Sequence, residues 1–274
     1  MLTQSQVDAY KRDGYYFPVD ILTPAETAPY RQKLETYEAS GDGPIKGNLR
    51  QKPHLLFTWL NELIRHPKIL DTVESIHGPD LLCWSSSFFI KEPRNAGYVS
   101  WHQDSTYWGL SSPDVVTVWL ALTPANDING AMKFLPGTQH EQLGHQDTFH
   151  QDNLLSRGQE LAVEVNEEES VLVTLEPGQA SLHHVMLFHG SAPNRSADRR
   201  IGLAIRYIPT YVRQIAGVRD AATLVRGVDR YKHFDAEPAP DFDLAPDAVA
   251  RHAAIVGQQA QILYRGTGKA EFRP

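Results

Sequence analysis

The feature that most limits what this 274-residue chain can become is a change of texture near residue 80. Before it, apolar residues recur at helical spacing. TPAETAPYRQKLETYEA opens at Thr23-Pro24-Ala25-Glu26, a capping box with proline at the first helical position, and Pro29 weakens only the start of that run. KPHLLFTWLNELIRHPKILDTVESIHG holds two further apolar-periodic runs, broken at Pro67 and closed by Gly78, so about four short helices are expected before residue 80. Beyond it the chain reads as strands. LLCWSSSFFIKEP, DVVTVWLAL, AMKFLP, ESVLVTLEPG, ASLHHVMLFHG and RIGLAIRYIP are β-branched and aromatic runs bounded by Gly, Pro, Asn and Asp, with no long helical pattern between them. Short strands so spaced point to an antiparallel sandwich or barrel, giving a mainly β fold with flanking α-helices.

Two segments stand outside this pattern. Residues 137–168 are polar and irregular, the composition of a surface insertion or lid between strands. After Tyr211 a proline- and acid-rich stretch, EPAPDFDLAPD, leads to a final helix around AVARHAAIVGQQAQIL, a tail expected to pack outside the sheets. Composition marks no break, so one domain is expected over 1–274, with a helical region at 1–79, a β core at 80–210 and a C-terminal extension at 211–274.

A net charge of −7 argues against a nucleic-acid or anionic-membrane surface, since each needs a basic footprint, and leaves a small-molecule partner as the expectation. The start lacks the apolar core of a signal peptide and no stretch approaches about 18 unbroken apolar residues, so a cytoplasmic location is expected. The lone cysteine, Cys83, excludes an internal disulfide or thiolate cluster. It is read as a small buried hydrophobe. A metal, if bound, falls to histidine and carboxylate.

The triplet His-Gln-Asp occurs at 102–104, 145–147 and 150–152, and His233-Phe234-Asp235 adds a fourth H-x-D pair; with 12 histidines, about one such pair is expected by chance. Position decides among them. His102 follows the strand-like GYVSW, and side chains two apart on a strand point the same way, which sets an imidazole beside a carboxylate. From Asp104 to His189 enough strands remain to run around a barrel and return; from His150 only two do. The later triplets sit in the polar insertion and read as solvated loop histidines. His102, Asp104 and a late histidine, His189, would then form the two-histidine, one-carboxylate set of non-haem Fe(II) oxygenases, with zinc as the competing metal. Arg200 follows His189 by eleven residues and shares a strand face with Gly202, Ala204 and Arg206, while Arg199 looks the other way. An inward arginine calls for a carboxylate, and a dicarboxylate that chelates iron at one end and reaches Arg200 at the other answers both demands, as 2-oxoglutarate would.

His102-Gln103-Asp104, NGAMKFLPGTQH at 129–140 and HGSAPNRSADRRIGLAIRY at 189–207 resemble the phytanoyl-CoA dioxygenase family of Fe(II)/2-oxoglutarate oxygenases, and the opening DGYYFPVDILTPAE is similar to that family's N-terminus. The resemblance implies a double-stranded β-helix, or jelly roll, with a metal triad of His102, Asp104 and His189. It further implies that Arg200 binds the distal carboxylate of 2-oxoglutarate, that Ser191 assists, and that Gln103 and Trp119 line the cosubstrate pocket. The implied reaction is hydroxylation of a C–H bond with O2, releasing succinate and CO2; Asp104 occupies the place that halogenating relatives leave open for chloride.

For the substrate, the residues point to a small anionic or zwitterionic metabolite, such as a phosphonate or an amino-acid derivative. Lys46, Asn48, Arg50, Lys52 and His54 bring cations and donors toward the barrel mouth, Arg206 adds another on the interior face, Lys91 sits in FFIKEP, and Tyr107 is a possible pocket residue. His184 reads as a strand histidine satisfied by hydrogen bonds. The alternatives are a metal-dependent hydrolase on the same ligands and a non-catalytic jelly-roll binding module.

Overall fold

The structure, a computed structural model, describes residues 1–41, 43–269 and 272. Its first quarter forms α1 (Gln4–Asp13), α2 (Pro24–Ser40), α3 (Thr58–Leu63) and α4 (Pro67–His77). Thr23 and Glu26 cap α2 reciprocally as the sequence indicates, and the helix runs unbroken past Pro29. Between α1 and α2 lies a strand that the helical reading passed over, β1 (Tyr15–Asp20). It is an edge strand, where a proline such as Pro18 is tolerated because no ladder donor is lost.

The strands that follow are β2 (Leu81–Lys91), β3 (Val99–His102), β4 (Val116–Ala121), β5 (Met132–Leu135), β6 (His145–Asp147), β7 (Gln159–Leu161), β8 (Val171–Leu172), β9 (Gln179–His184), β10 (Phe188–Ser191), β11 (Arg200–Pro209), β12 (Ala221–Arg226) and β13 (Asp235–Ala236), before α5 (Pro246–Leu263). ASLHHVMLFHG supplies two strands, β9 and β10, turning at 185–187. A seven-stranded sheet in the order β1-β9-β4-β11-β2-β12-β13 faces a four-stranded sheet in the order β3-β10-β5-β8. The whole is a mainly β jelly roll with flanking helices.

The large sheet has two different faces because its strands alternate. Phe88, Ile90, Val116, Val118, Leu120, Leu182, Ile201, Leu203 and Ile205 point to one side and pack with Leu56, Leu60, Ile64, Ile69 and Val73 from the helical region. Each such side chain, fully buried, contributes about 1.5–3 kcal/mol relative to exposure. The other face carries Ser85, Ser87, Phe89 and Lys91 of β2 in register with Arg206, Ala204, Gly202 and Arg200 of β11. The helices thus make the fold rigid on one side and leave the polar face to the space between the sheets.

The C-terminal extension is not an external appendage. β12 pairs with β2 inside the large sheet, and Glu237 meets Lys52 Nζ at 2.5 Å with both side chains buried. α5 closes the open end of the jelly roll. The insertion at 137–168 is less irregular than its composition implies, since β6 and β7 pair as a hairpin within it. Among the described residues no helix is long and apolar enough to cross a membrane.

Candidate metal centre

His102 and His189 are direct cross-strand partners in the antiparallel pair β3–β10, so both imidazoles enter the same space, with ring centroids 4.1 Å apart. His102 Nδ1 lies 2.9 Å from the Ser100 carbonyl oxygen and 3.0 Å from that of His189, and His189 Nδ1 lies 2.9 Å from that of Leu187. Nδ1–H donation to these carbonyls leaves Nε2 on each ring with its lone pair free, as in metal-binding histidines. β3 ends at His102, and Asp104 begins a single 3-10 turn instead of continuing the strand. Gln103 nevertheless keeps an extended backbone (φ −111°, ψ 135°), so the two-residue spacing still sets Asp104 on the side of His102, with its Oδ1 3.3 Å from Nε2. One donor atom from each of His102, Asp104 and His189 falls within a 4.8 Å cluster, and all three residues are buried.

The charge states suit a ligand set. Burial opposes ionisation of Asp104, but His102, His183, His189 and Arg206 outweigh it and hold the carboxyl well below the usual range. Burial, and then the charge of His102, keeps His189 well below the usual histidine value and so neutral. Two imidazoles and a carboxylate on one side of a cavity fit Fe(II) with coordination positions left open. His183, not singled out in the sequence, also faces this centre: its Nε2 is 3.9 Å from Asp104 Oδ2, an electrostatic contact too long for a hydrogen bond. Its neighbour His184, which was singled out, points to the opposite face of β9 and accepts from the Met186 N–H.

An inner cavity, about 390 Å³ with its opening, joins the triad to Trp119, Ser191 and Arg200. Arg200 is 1% exposed, donates to the Gly130 carbonyl at 2.7 Å, lies 5.2 Å from the Trp119 ring, and leaves its Nε without a partner. Arg199, next in the chain, faces the other way into an ion pair with Glu38 at 2.6 Å. Lys91 stands directly opposite Arg200 in the ladder and donates to Ser191 Oγ at 2.7 Å. Burial and the neighbouring Arg200 charge disfavour a second charge on Lys91, and among the described residues neither side chain forms an ion pair with a carboxylate, so Arg200 lacks a countercharge. Lys91, expected among the substrate contacts, therefore lies at the Arg200 end of the inner cavity, behind Ser191.

A second chamber, about 900 Å³ with its open mouth, adjoins the first, and Phe89, Asp104 and Arg206 line both. Tyr107 is in its wall, with its hydroxyl on Asp147 Oδ1 at 2.7 Å and the Arg157 guanidinium 3.7 Å from its ring centre. α5 supplies Gln259 and Leu263, and Trp84 of β2 adds an aromatic wall. Sequence spacing could not disclose these, since α5 is far along the chain.

Four expected site residues are placed elsewhere. Gln103 faces the insertion: its carboxamide donates to the Glu141 and Met186 carbonyls and accepts from the Leu143 N–H and the Gln142 amide. Asn48 accepts from the Phe272 N–H. Lys52, with His54, turns into the buried pairing with Glu237. Nor are the later triplets merely solvated: His145 Nε2 accepts the Gln103 N–H at 2.9 Å and so steadies the loop between His102 and Asp104.

The fold recurs in known proteins. A solved structure titled "non-heme monooxygenase; ThoJ apo" superposes with a TM-score of 0.84 at 33% identity, covering 95% of this chain and 98% of that one. "CytC3 with Fe(II) and alpha-ketoglutarate" gives 0.65 at 27% identity over 89% of this chain and 96% of that one. Among curated proteins, the "Probable alpha-ketoglutarate-dependent hypophosphite dioxygenase" of Stutzerimonas stutzeri is 34% identical over 161 residues, 57% of this chain and 55% of its own length. Matches of this kind span about half the length of the curated relatives. Residues 3–202 match the family described as Phytanoyl-CoA dioxygenase (PhyH), and the chain belongs to that family.

Proposed function

We propose that the chain is an Fe(II)- and 2-oxoglutarate-dependent hydroxylase acting on a small anionic or zwitterionic molecule. A His-carboxylate-His donor set and an arginine without a carboxylate partner share one buried cavity, and that conjunction carries the reading. His102, Asp104 and His189 would hold the metal. Arg200 would grip the distal carboxylate of 2-oxoglutarate, its guanidinium held against Trp119, with Ser191 and Lys91 completing the end of the pocket. A dianion there supplies the countercharge that Arg200 lacks and favours the protonated form of Lys91, a differential interaction that a neutral cosubstrate lacks.

When bound, the metal and cosubstrate supply the oxidising power, with 2-oxoglutarate leaving as succinate and CO2. The chain's own part is orientation and dryness. The carbonyl hydrogen bonds at Nδ1 fix the ring planes of both histidines, and the β6–β7 hairpin with α5 covers the outer chamber so that a substrate displaces water as it enters. The "hypophosphite dioxygenase" relative, by its name, acts on a small anion, which supports the same class here.

Succinate formation from 2-oxoglutarate with Fe(II), O2 and ascorbate tests the proposal. Metal at a hundredfold excess over its Kd should add about 2.7 kcal/mol of stability. Asp104→Ala should remove both signals, while Asp152→Ala leaves both. Metal binding with no succinate would favour the hydrolase or the binding module instead.

A further inference from the structure

The outer chamber is built for one sign of charge. Arg206 is 7% exposed, donates from Nη1 to Ser87 Oγ at 2.6 Å, and has no partner for its Nε. The Nε edge, with which arginine holds a carboxylate by two parallel bonds, is therefore unclaimed. Two more buried donors in the same wall lack partners, Arg50 Nε and Gln259 Nε2, the latter on a residue 7% exposed. Against these, Asp104 is the sole acid lining the chamber among the described residues, and it is committed to the histidine cluster. Water can satisfy a donor in an open chamber, but it cannot supply countercharge to the buried Arg206 guanidinium. One part of the wall is aromatic: Trp84 and Trp108, with ring centroids 4.9 Å apart, lie along with Tyr107 and Phe272. Arg206 itself rests 5.1 Å from the Trp108 ring, which orients its guanidinium.

We infer that the substrate is a carboxylate carried on an aromatic or similarly flat apolar body, and that it is bound as an anion without an ammonium group. Its carboxylate sits on Arg206 at the junction of the two cavities, and its body lies between the aromatic wall and α5 beneath Gln259 and Arg50. An ammonium group on that body would stand near the guanidinium groups of Arg206 and Arg50, whose like charge disfavours it. This rests on the hydroxylase reading for its meaning as a substrate, but not for its measurement.

Binding of 3-phenylpropionate, 3-phenylpropionamide and 3-phenylpropylamine to the metal-free full chain can be followed by intrinsic tryptophan fluorescence, to which Trp84 and Trp108 contribute from the chamber wall. The acid should bind at least tenfold more tightly than the amide, and the amine more weakly still. Arg206→Gln should abolish the preference for the acid and Arg206→Lys should retain part of it. Arg50→Gln, on a half-buried residue, should reduce the preference several-fold and keeps the test open if the buried Arg206→Gln protein does not fold. Equal binding of the amide, tighter binding of the amine, or a preference for the acid unchanged in both the Arg50 and Arg206 variants overturns the inference. The measurement uses neither metal nor 2-oxoglutarate, so a failure here is distinct from an absence of succinate formation.

Discussion

Gly202 is the residue on which the arginine end of the inner cavity is arranged. A β-carbon placed there would stand 1.9 Å from Cζ2 of Trp119, because the indole lies across the glycine and carries Arg200 against its face. A ring cannot yield as a flexible chain would, so Gly202→Ala should cost about 1–3 kcal/mol by overpacking. It should also weaken 2-oxoglutarate binding at least tenfold by displacing Trp119, readable by thermal melting and by cosubstrate titration. Lys91 gives a pH signature. Burial, with the charge of Arg200 beside it, lowers its pKa to about 6 from the usual lysine value of 10.5. Between these values the unfolded chain holds the additional proton, so this group makes stability rise with pH from about 6 to about 10.5, and its penalty is complete below that window. The urea midpoint of Lys91→Met relative to the parent protein should therefore fall steadily as pH rises across the window; a constant difference would exclude the charge as its cause. At this scale the triad and Arg200 were legible because strand alternation has a fixed period of two. His183 was not, since two adjacent histidines on one strand face opposite ways and only the register with β4 decides which is inward.

Arg157 ties the β6–β7 hairpin to the last helix. Arg157 Nε donates to Asp147 Oδ2 at 2.9 Å, its Nη1 donates to the Leu263 carbonyl at 3.0 Å at the end of α5, and its guanidinium covers the Tyr107 ring. Burial and the hydrogen bond to Asp147 raise the Tyr107 pKa to about 12, so the phenol remains a donor throughout the working range. One side chain thus ties together the insertion, the turn at Asp104–Tyr107 and the last helix. Arg157→Gln should free the hairpin without unfolding the sheets: amide exchange in 145–161 should accelerate at least tenfold, while global stability changes by only about 1–2 kcal/mol. Exchange unchanged in that segment would mean that the chamber is closed by other contacts. The insertion was recognisable by composition, but its hairpin was not, because HQD and QEL lack the β-branched residues by which the main strands announced themselves. Its function as a support for the first triplet, through His145, depends on a contact across 42 residues that no local pattern encodes.

The whole molecule is bound together by its two ends, and this is where the sequence was least informative. Residues 211–274 read as an outer tail because AATLVR alternates weakly and the acidic, proline-rich stretch after it has no periodicity. In the fold that segment is structural: β12 extends the large sheet, Leu244 N–H donates to the Leu56 carbonyl, and His252 Nε2 lies 2.7 Å from the Gln51 carbonyl oxygen. Its decisive contribution is Glu237. Lys52 is 0% exposed, and the carboxylate of Glu237, itself shared with Thr223 and His54, is its countercharge. Removing one partner of such a pair leaves an uncompensated buried ion, at a cost of about 3–5 kcal/mol, a large share of a typical domain's stability. Glu237→Ala should therefore lower the melting temperature strongly, whereas Glu237→Gln, which keeps the hydrogen-bond acceptor but not the charge, should do so less. A chain ending at residue 210 loses the pair, the β12 edge and the roof of the outer chamber together, and should be recovered without the cooperative melting transition of the parent. A folded, cooperatively melting 1–210 fragment would show that the jelly roll stands alone and that the extension serves the chamber only.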